Sequence, residues 1–417
     1  MISKNLIVKN NPNTYFIVLD ALRSDHLKYM PWLSSKTNEG IFAKNLVISS
    51  GFCERAEIFL SLSPKETGFL NAININSIDS NKKPFYWFSK WPKFMLSFLE
   101  KNKFLQKIIR RLLWKISQKK SDYGMYPQRI PLEILDKIVL TEDAINFEEY
   151  AKENQSGLLF EYIKNGYTIY WKYFTSLSQQ TFGNDTSRLS HLLKNVKKIN
   201  NSFVPVYIST PDYFGHKYGP HSKELISALK KIDYEIKIFY KTILKEDKKA
   251  TLCLIGDHGM EKVVDSLNAM EIINNISKDV NIKPQNDFYY FLDSTMIRLW
   301  NNSLDNYTWK KFEKILKSDK NLCKKGYFIN ENNYKNEGIP KAAEIADIVW
   351  WAKKGVQVTP DFFHNNISPK AGMHGYLKKD NISKGFFLML NNKNIIKFYD
   401  ELDVINLKDI LKLNHEK

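Results

Sequence analysis

Three short apolar runs govern what this chain can fold into. Tyr15–Leu19 (YFIVL) leads into Asp20, Val204–Ile208 (VPVYI) is followed by Ser-Thr-Pro and Asp212, and Ala250–Ile255 (ATLCLI) by Gly256, Asp257 and His258. Runs this short and this continuously apolar, rich in β-branched and aromatic residues, fit strands buried on both faces. Between them, Ala56–Leu62 reads as a short buried helix, and Lys223–Leu244 has the i, i+3/i+4 apolar spacing of an amphipathic helix. Strands alternating with helices predict an α/β fold. In open parallel sheets ligands bind beyond the carboxyl ends of the strands. A single Asp there is ordinarily a helix N-cap, but three, two of them with a His close by, point to a metal or phosphate site.

The 417 residues leave room for a large core with insertions. Residues 77–195 are rich in aromatics and lysine and lose the strand–helix rhythm, so they are expected to form a mostly helical insertion or cap on a core of 1–76 and 196–417. A second, smaller insertion is expected at about 267–345. The composition, 43% apolar and 26% charged, excludes wholesale disorder. Three cysteines, Cys53, Cys253 and Cys323, are too few for a disulfide scaffold. No run of 18 apolar residues suggests a spanning helix, and the first twenty residues lack the pattern of a cleaved signal. A cytoplasmic chain with reduced thiols, free or peripheral at a membrane, is the expectation. The 62 basic against 45 acidic residues, a net charge of +17, favour anionic partners: phosphorylated substrates, nucleic acid or anionic lipid. No recognised nucleic-acid module accompanies the charge, so nucleic acid is the weakest of these.

Asp212 and His216 stand four residues apart across Gly215 in TPDYFGHKYGPHS, a spacing with which a loop brings a carboxylate and an imidazole onto one cation. Asp257 and His258 directly follow a strand, and His374 lies between small residues in AGMHGY, where glycine permits close backbone approach to a ligand. Carboxylate with neutral imidazole suits zinc or a similar divalent ion. With Asp20 the inventory is three Asp and three His, enough for two cations with three protein ligands each and positions left for substrate oxygens.

DYFGHKYGP, LIGDHGM and GMHGY, with VLDALRSD near the start, resemble the alkaline phosphatase superfamily, and within it the type I phosphodiesterase/nucleotide pyrophosphatase branch. The resemblance covers about 15–76, 200–265 and 345–390. It implies a doubly wound, mostly parallel sheet sandwiched by helices, with two divalent cations, zinc or manganese, at the strand ends. Asp212, His216 and His374 would hold one cation, and Asp20, Asp257 and His258 the other. His221 and His364 match no ligand position and read as surface or pocket-lining residues.

The family keeps a Thr, Ser or modified Cys nucleophile at the start of the helix that runs into a T-G-x-x-P-x-x-x-G pattern. Here that stretch is SSGFCERAEIFLSLSPKETG, Ser49–Gly68, and aligning Pro64 and Gly68 without gaps puts Gly51 at the nucleophile position. Three alternatives stand. Cys53, near the helix start and Arg55, would be a thiolate if both lowered its pKa, and it is preferred. Ser50 would serve after a one-residue shift. Otherwise no protein nucleophile exists and hydroxide held by a metal attacks. Arg55 falls where related sulfatases keep an Arg, able to hold an anionic oxygen bidentately, or paired with Glu54 or Glu57 instead. The Cys-x-Pro-x-Arg motif for formylglycine is not complete. Asn71 lies one residue from a phosphate-binding Asn of the phosphodiesterases.

Residues 101–120, KNKFLQKIIRRLLWKISQKK, carry eight basic and no acidic residues, with Leu105, Ile108, Ile109, Leu112, Leu113 and Ile116 on one helical face. With the aromatic stretch before it, the 85–120 region reads either as an interfacial helix on an anionic membrane or as a cap helix packed on the core. The sequence therefore leads to a metal-dependent hydrolase or transferase cleaving a phosphodiester or pyrophosphate of a small-molecule or lipid-linked substrate. The alternatives are a phosphomonoesterase, sulfatase or phosphoethanolamine-type transferase, and a metal-binding protein that has lost its nucleophile.

Overall fold

The computed structural model describes residues 11–75, 83–92, 95, 103–120, 125–174, 182–330, 333–334, 337–340, 345–364, 367–378, 384–391 and 395–412. Seven strands build the central sheet: β1 (Thr14–Leu19), β2 (Ile41–Val47), β3 (Thr168–Ile169), β4 (Ser202–Ile208), β5 (Thr251–His258), β6 (Lys384–Leu390) and β7 (Lys397–Asp403). Their order is β7-β2-β6-β5-β1-β4-β3. Only β6 runs against the rest, pairing antiparallel with both β2 and β5. Five helices matter below: α1 (Glu54–Leu60), α2 (Lys103–Lys120), α3 (Asp185–Asn195), α4 (Thr210–Tyr218) and α5 (Lys223–Glu246).

The three apolar runs are β1, β4 and β5, adjacent at the centre of the sheet. Along β1, Tyr15, Ile17 and Leu19 face one helical layer while Phe16 and Val18 face the other, all fully buried. This is why the run is continuous rather than alternating. On the first face, α5 buries Leu225, Leu229, Ile232, Ile236, Phe239 and Ile243, steps of four and three that keep one stripe on the sheet. Each such side chain contributes roughly 1.5–3 kcal/mol of apolar transfer. Ser222 caps the helix by accepting from the Leu225 N–H at 3.1 Å. On the other face α1 inserts Ala56, Ile58 and Phe59, and Phe59 meets the rings of Phe16, Trp171 and Phe174.

The sheet takes in more chain than the loss of rhythm suggests. Helices Phe147–Asn154 and Gly157–Lys164 lead into β3, and Ala151, Leu158, Leu159, Tyr162 and Ile169 pack into the second face. A two-residue edge strand has no periodicity to read. The second insertion, expected at about 267–345, shares a four-stranded antiparallel sheet with a strand beyond it, in the order Phe288–Leu292, Met296–Asn301, Ile348–Ala352, Gly326–Phe328. It does not stand apart from the cap. Leu70, Ile73, Phe85, Ile109, Leu113, Ile130 and Ile134 share one hydrophobic cluster with Phe291, Leu299, Trp350 and Trp351.

The basic helix packs one face on the core, as the cap reading expects, and leaves the other face exposed. Ile109 and Leu113 of α2 are buried, and Arg110 donates to the carbonyls of Pro127 and Ile130. Phe104, Ile108, Leu112 and Trp114 are exposed instead. Among the described residues no helix is long and apolar enough to cross a membrane.

Candidate metal centre

The ligand candidates gather at one edge of the central sheet. Leu19 is level with Ile208 on β4 and with Gly256 on β5, so Asp20, just past β1, stands beside Asp257, which with His258 ends β5 itself rather than following it. Two backbone contacts hold this turn: the Asp20 N–H donates to the Ile208 carbonyl at 3.0 Å, and the Ala21 N–H donates to Asp257 Oδ1 at 3.0 Å. The strand β4 feeds α4, with Pro211 in its first turn. Asp212 and His216 therefore sit on a helix rather than the expected loop, and a spacing of four puts them on one face. His374 follows the short strand Gly372–Met373.

Two groups result. Asp212, His216 and His374 each offer a ligand atom within 4.8 Å of the others, and so do Asp20, Asp257 and His258. His216 Nε2 and His374 Nε2 lie 3.1 and 3.5 Å from Asp212 Oδ1. His258 Nε2 lies 3.3 Å from Asp20 Oδ1 and 3.7 Å from Asp257 Oδ1. The rings of His258 and His374 stack with centroids 4.2 Å apart, so the groups adjoin.

Surrounding groups aim these ligands. His216 Nδ1 lies 2.9 Å from the Gly372 carbonyl, and His258 Nδ1 lies 3.1 Å from that of Gly259. A carbonyl only accepts, so each neutral ring keeps its proton on Nδ1 and turns the Nε2 lone pair into the site. Tyr207 donates its hydroxyl to Asp20 Oδ2 at 2.5 Å. The glycine two residues before His374 serves packing: a Cβ at Gly372 would lie 2.6 Å from the Gly215 carbonyl oxygen and 2.8 Å from Met260 Sδ. Its bare backbone lets the strand reach α4.

The electrostatics are those of acids and imidazoles crowded together in a buried place. Burial, with Asp212 nearby, raises the Asp20 pKa to about 6. Burial pushes Asp257 well above the usual carboxylate range against the pull of His258. Burial opposes charge on His258, yet Asp257, Asp20 and Glu54 hold its pKa well above an ordinary imidazole. Burial and the adjacent His258 push His374 well below it. Burial works against ionised Asp212, but His216 and His374 keep its carboxyl below the usual range. Asp212 Oδ1 and His258 Nε2 are buried and make no proper hydrogen bond among the described residues. Three carboxylates and three imidazoles with such orphaned atoms fit two divalent cations.

The other sequence candidates fall elsewhere. Gly51 has φ +126°, and a Cβ there would lie 2.4 Å from the Leu70 carbonyl oxygen, so the backbone itself excludes a side chain. Cys53 is buried, its Sγ 3.5 Å from Thr141 Oγ1, and it does not line the cavity. Burial and Glu142 push its thiol pKa up, the opposite of the expected activation. Ser50 donates to Glu337 Oε2 at 2.9 Å and accepts from the Lys378 N–H at 2.7 Å, a structural junction outside the cavity lining. Arg55 does line the cavity, but its partners are neither Glu54 nor Glu57. It donates to Glu142 Oε1 and Asp143 Oδ1, both at 2.8 Å. Asn71 is buried; its backbone carbonyl accepts from Thr141 Oγ1. His364 lines the cavity, 2.8 Å from Asp361 Oδ2 through Nδ1.

A cavity of about 540 Å³ opens onto the first group, lined by Asp212, His216 and His374 together with Glu54, Arg188 and the rings of Phe52, Phe182 and Phe363. Sequence reasoning passed over Glu54, whose Oε1 lies 3.6 Å from His258 Nε2. It also missed Tyr207 and Arg188. Arg188 pairs with Asp185 three residues earlier, a spacing that is the only sequence signal any of these three offered.

The fold and the ligand groups have counterparts among known proteins. Over 98% of this chain the fold matches murine ectonucleotide pyrophosphatase/phosphodiesterase 5, covering 95% of that chain with a TM-score of 0.60 at 13% identity. The human protein of the same name covers 97% of this chain, also at a TM-score of 0.60 and 14% identity. This is the alkaline phosphatase-like architecture. In sequence, venom phosphodiesterase 2 of Crotalus adamanteus is 29% identical over 222 residues, 51% of this chain and 26% of the relative. Ectonucleotide pyrophosphatase/phosphodiesterase family member 1 of Rattus norvegicus is 38% identical over 81 residues, 19% of this chain and 9% of the relative. The chain thus matches about a quarter or less of the length of these relatives. The family model described as type I phosphodiesterase / nucleotide pyrophosphatase matches residues 14–377, and the chain belongs to that family.

Proposed function

We propose that this chain hydrolyses a phosphodiester or pyrophosphate bond at the edge of its central sheet. Two divalent cations would be held by Asp212, His216 and His374 and by Asp20, Asp257 and His258. When bound, such cations supply Lewis-acid stabilisation of phosphoryl oxygens. The observation that carries the reading is the pair of three-ligand groups, joined by the stacked His258 and His374 rings, beside a cavity of substrate size.

The chain's own residues divide the remaining tasks. His216 and His258, locked by carbonyls, keep their Nε2 atoms turned inward. Tyr207 fixes Asp20. The two cation groups suit an anionic phosphoryl group, while Phe52, Phe182 and Phe363 offer flat apolar surface to an organic leaving group. A nucleotide meets both requirements, and murine ectonucleotide pyrophosphatase/phosphodiesterase 5 has been solved in complex with AMP. Arg55 is neutralised by Glu142 and Asp143, so the sulfatase-type use of that position has no support. The test is a panel of nitrophenyl phosphate monoesters, diesters and sulfate esters with the Zn²⁺- or Mn²⁺-loaded protein. Diester turnover at least tenfold above monoester and sulfate is expected; no turnover of any ester overturns the reading in favour of a cation-binding protein.

The exposed stripe Phe104, Ile108 and Leu112 on α2 lies beside exposed Lys107, Arg111 and Lys115 at the same spacing. Apolar side chains flanked by cations suit the surface of an anionic membrane. The reading therefore includes peripheral attachment through this face, on the cytoplasmic side, with a lipid-linked phosphate as one substrate class.

A further inference from the structure

The family's nucleophile position holds Gly51 in this chain, where a side chain would be strained and would press on the Leu70 carbonyl. What reaches the cations' side of the cavity from the same loop is Glu54, the first residue of α1. Its side chain is 18% exposed, it lines the cavity, and its Oε1 stands 3.6 Å from His258 Nε2. Among the described residues the ion-pair contact of this carboxylate is with His258 itself. Its neighbour Cys53 points away into the core, and the neighbour on the other side, Arg55, is held by two acids. Glu54 is thus the one acid–base group that α1 delivers to this site.

The charge count agrees. Asp20, Asp212 and Asp257 supply three negative charges for two divalent cations, one short of neutrality, and Glu54 makes the fourth. A carboxylate beside the reacting centre is also a ready proton acceptor.

We propose that Glu54 takes the proton of the water that attacks phosphorus, and that it supplies the fourth negative charge of the cation cage. The inference rests on the hydrolase reading above. The water oxygen forms the new O–P bond as its proton passes to Glu54 Oε1. The P–O bond to the leaving group breaks with its electron pair, the leaving oxygen takes a proton from solvent, and Glu54 returns its proton to solvent. Diester and water give monoester and alcohol. No covalent intermediate forms on the protein, so the configuration at phosphorus inverts.

Two measurements decide this. The first needs no turnover: calorimetric titration of the metal-stripped full chain with Zn²⁺ or Mn²⁺. Glu54→Gln should weaken one of two binding steps by about 10–100-fold, the scale seen when a group supporting metal ligands is lost, and leave the other unchanged. Glu54→Asp keeps the charge and should retain most of the affinity. Two unchanged steps in Glu54→Gln would overturn the charge assignment. The second follows a single diastereomer of a phosphorothioate diester in ¹⁸O-water. Inversion, with turnover of Glu54→Gln down about 10²–10⁴-fold, is expected. Retention, or a phosphoryl group trapped on any side chain, would overturn the proton-acceptor role. A wild-type protein without diesterase activity would sink the hydrolase reading alone, since the titration would still report on Glu54.

Discussion

Replacing Gly51 by threonine would put the family's hydroxyl back where the alignment asks for it, and the structure expects this to fail. At φ +126° a β-branched residue is strained, by roughly 1–3 kcal/mol. Its Cβ would also lie 2.4 Å from the Leu70 carbonyl oxygen, which accepts the Phe52 N–H at 2.8 Å. Relief requires the loop to move off that carbonyl, which sacrifices about 0.5–1.5 kcal/mol of net hydrogen bonding. The total is about 2–4 kcal/mol. With an unfolding entropy near ~2 cal/mol/K per residue, a chain of 417 residues should melt roughly 2–5 °C lower. Calorimetry gives the melting shift, and a nitrophenyl diester assay gives the activity, with Gly51→Ala as the control that shares the strain without the hydroxyl. A Gly51→Thr protein as stable as the parent, or one that gains diesterase activity and a phosphorylated Thr, would refute the argument that the backbone has closed this position.

Other perturbations probe the site, the core and the surface. Asp212→Asn removes the charge to which His216 and His374 both turn, so one of two bound cations should be lost, with affinity down more than about 100-fold; elemental analysis after gel filtration that still finds two would contradict the grouping. His26 is buried with Nε2 2.8 Å from the Pro220 carbonyl; burial lowers its pKa to about 4, against Asp25, which raises it, while Arg23 and His221 lower it further. The unfolded chain, near 6.5, takes the proton first, so this contribution to stability is complete above pH 6.5 and is lost as pH falls to about 4, by up to roughly 3 kcal/mol. His26→Gln should flatten the urea-midpoint profile across that window relative to wild type, and an unchanged slope would remove His26 as its source. Phe104→Ser with Ile108→Ser should cut sedimentation with vesicles containing phosphatidylserine at least fivefold without changing the melting temperature; equal binding would leave α2 without a membrane role.

The parts of the fold legible in the sequence were those fixed by local pattern. β1, β4 and β5 showed because a strand buried on both faces leaves an unbroken apolar run, and α5 because its core stripe repeats over about five turns. The candidate ligands showed because histidine and aspartate just beyond such strands have few other reasons to cluster. The shared core of the two insertions did not show. Leu113 and Trp351 belong to one cluster although more than two hundred residues separate them, and no periodicity records a contact at that distance. The two faces of α2 were equally opaque. Ile108 and Ile109 are neighbours of the same type, yet one is exposed and the other buried, a difference set by what packs against the helix.

The nucleophile shows why counting positions reads a metal site better than it reads an attacking group. A cation accepts ligands from any backbone that brings lone pairs within reach, so a candidate pair such as Asp212 and His216 can be formed on a helix as well as on a loop. An attacking group has to end at one point, and counting residues places only its Cα. Between Gly51 and Arg55 the backbone leaves the left-handed region and enters α1, and successive side chains fan out. Cys53 turns into the core beside Thr141, Glu54 turns to His258, and Arg55 turns to Glu142 and Asp143. The thiol looked reactive from its helix-terminal position and a nearby arginine. Both of those fields act on whichever atom is there, and the atom there is buried against an acid that cancels them. The residue that turns toward the candidate metal centre is the one whose type gave no signal, because an acidic residue in the first turn of a helix is ordinarily explained by the helix dipole.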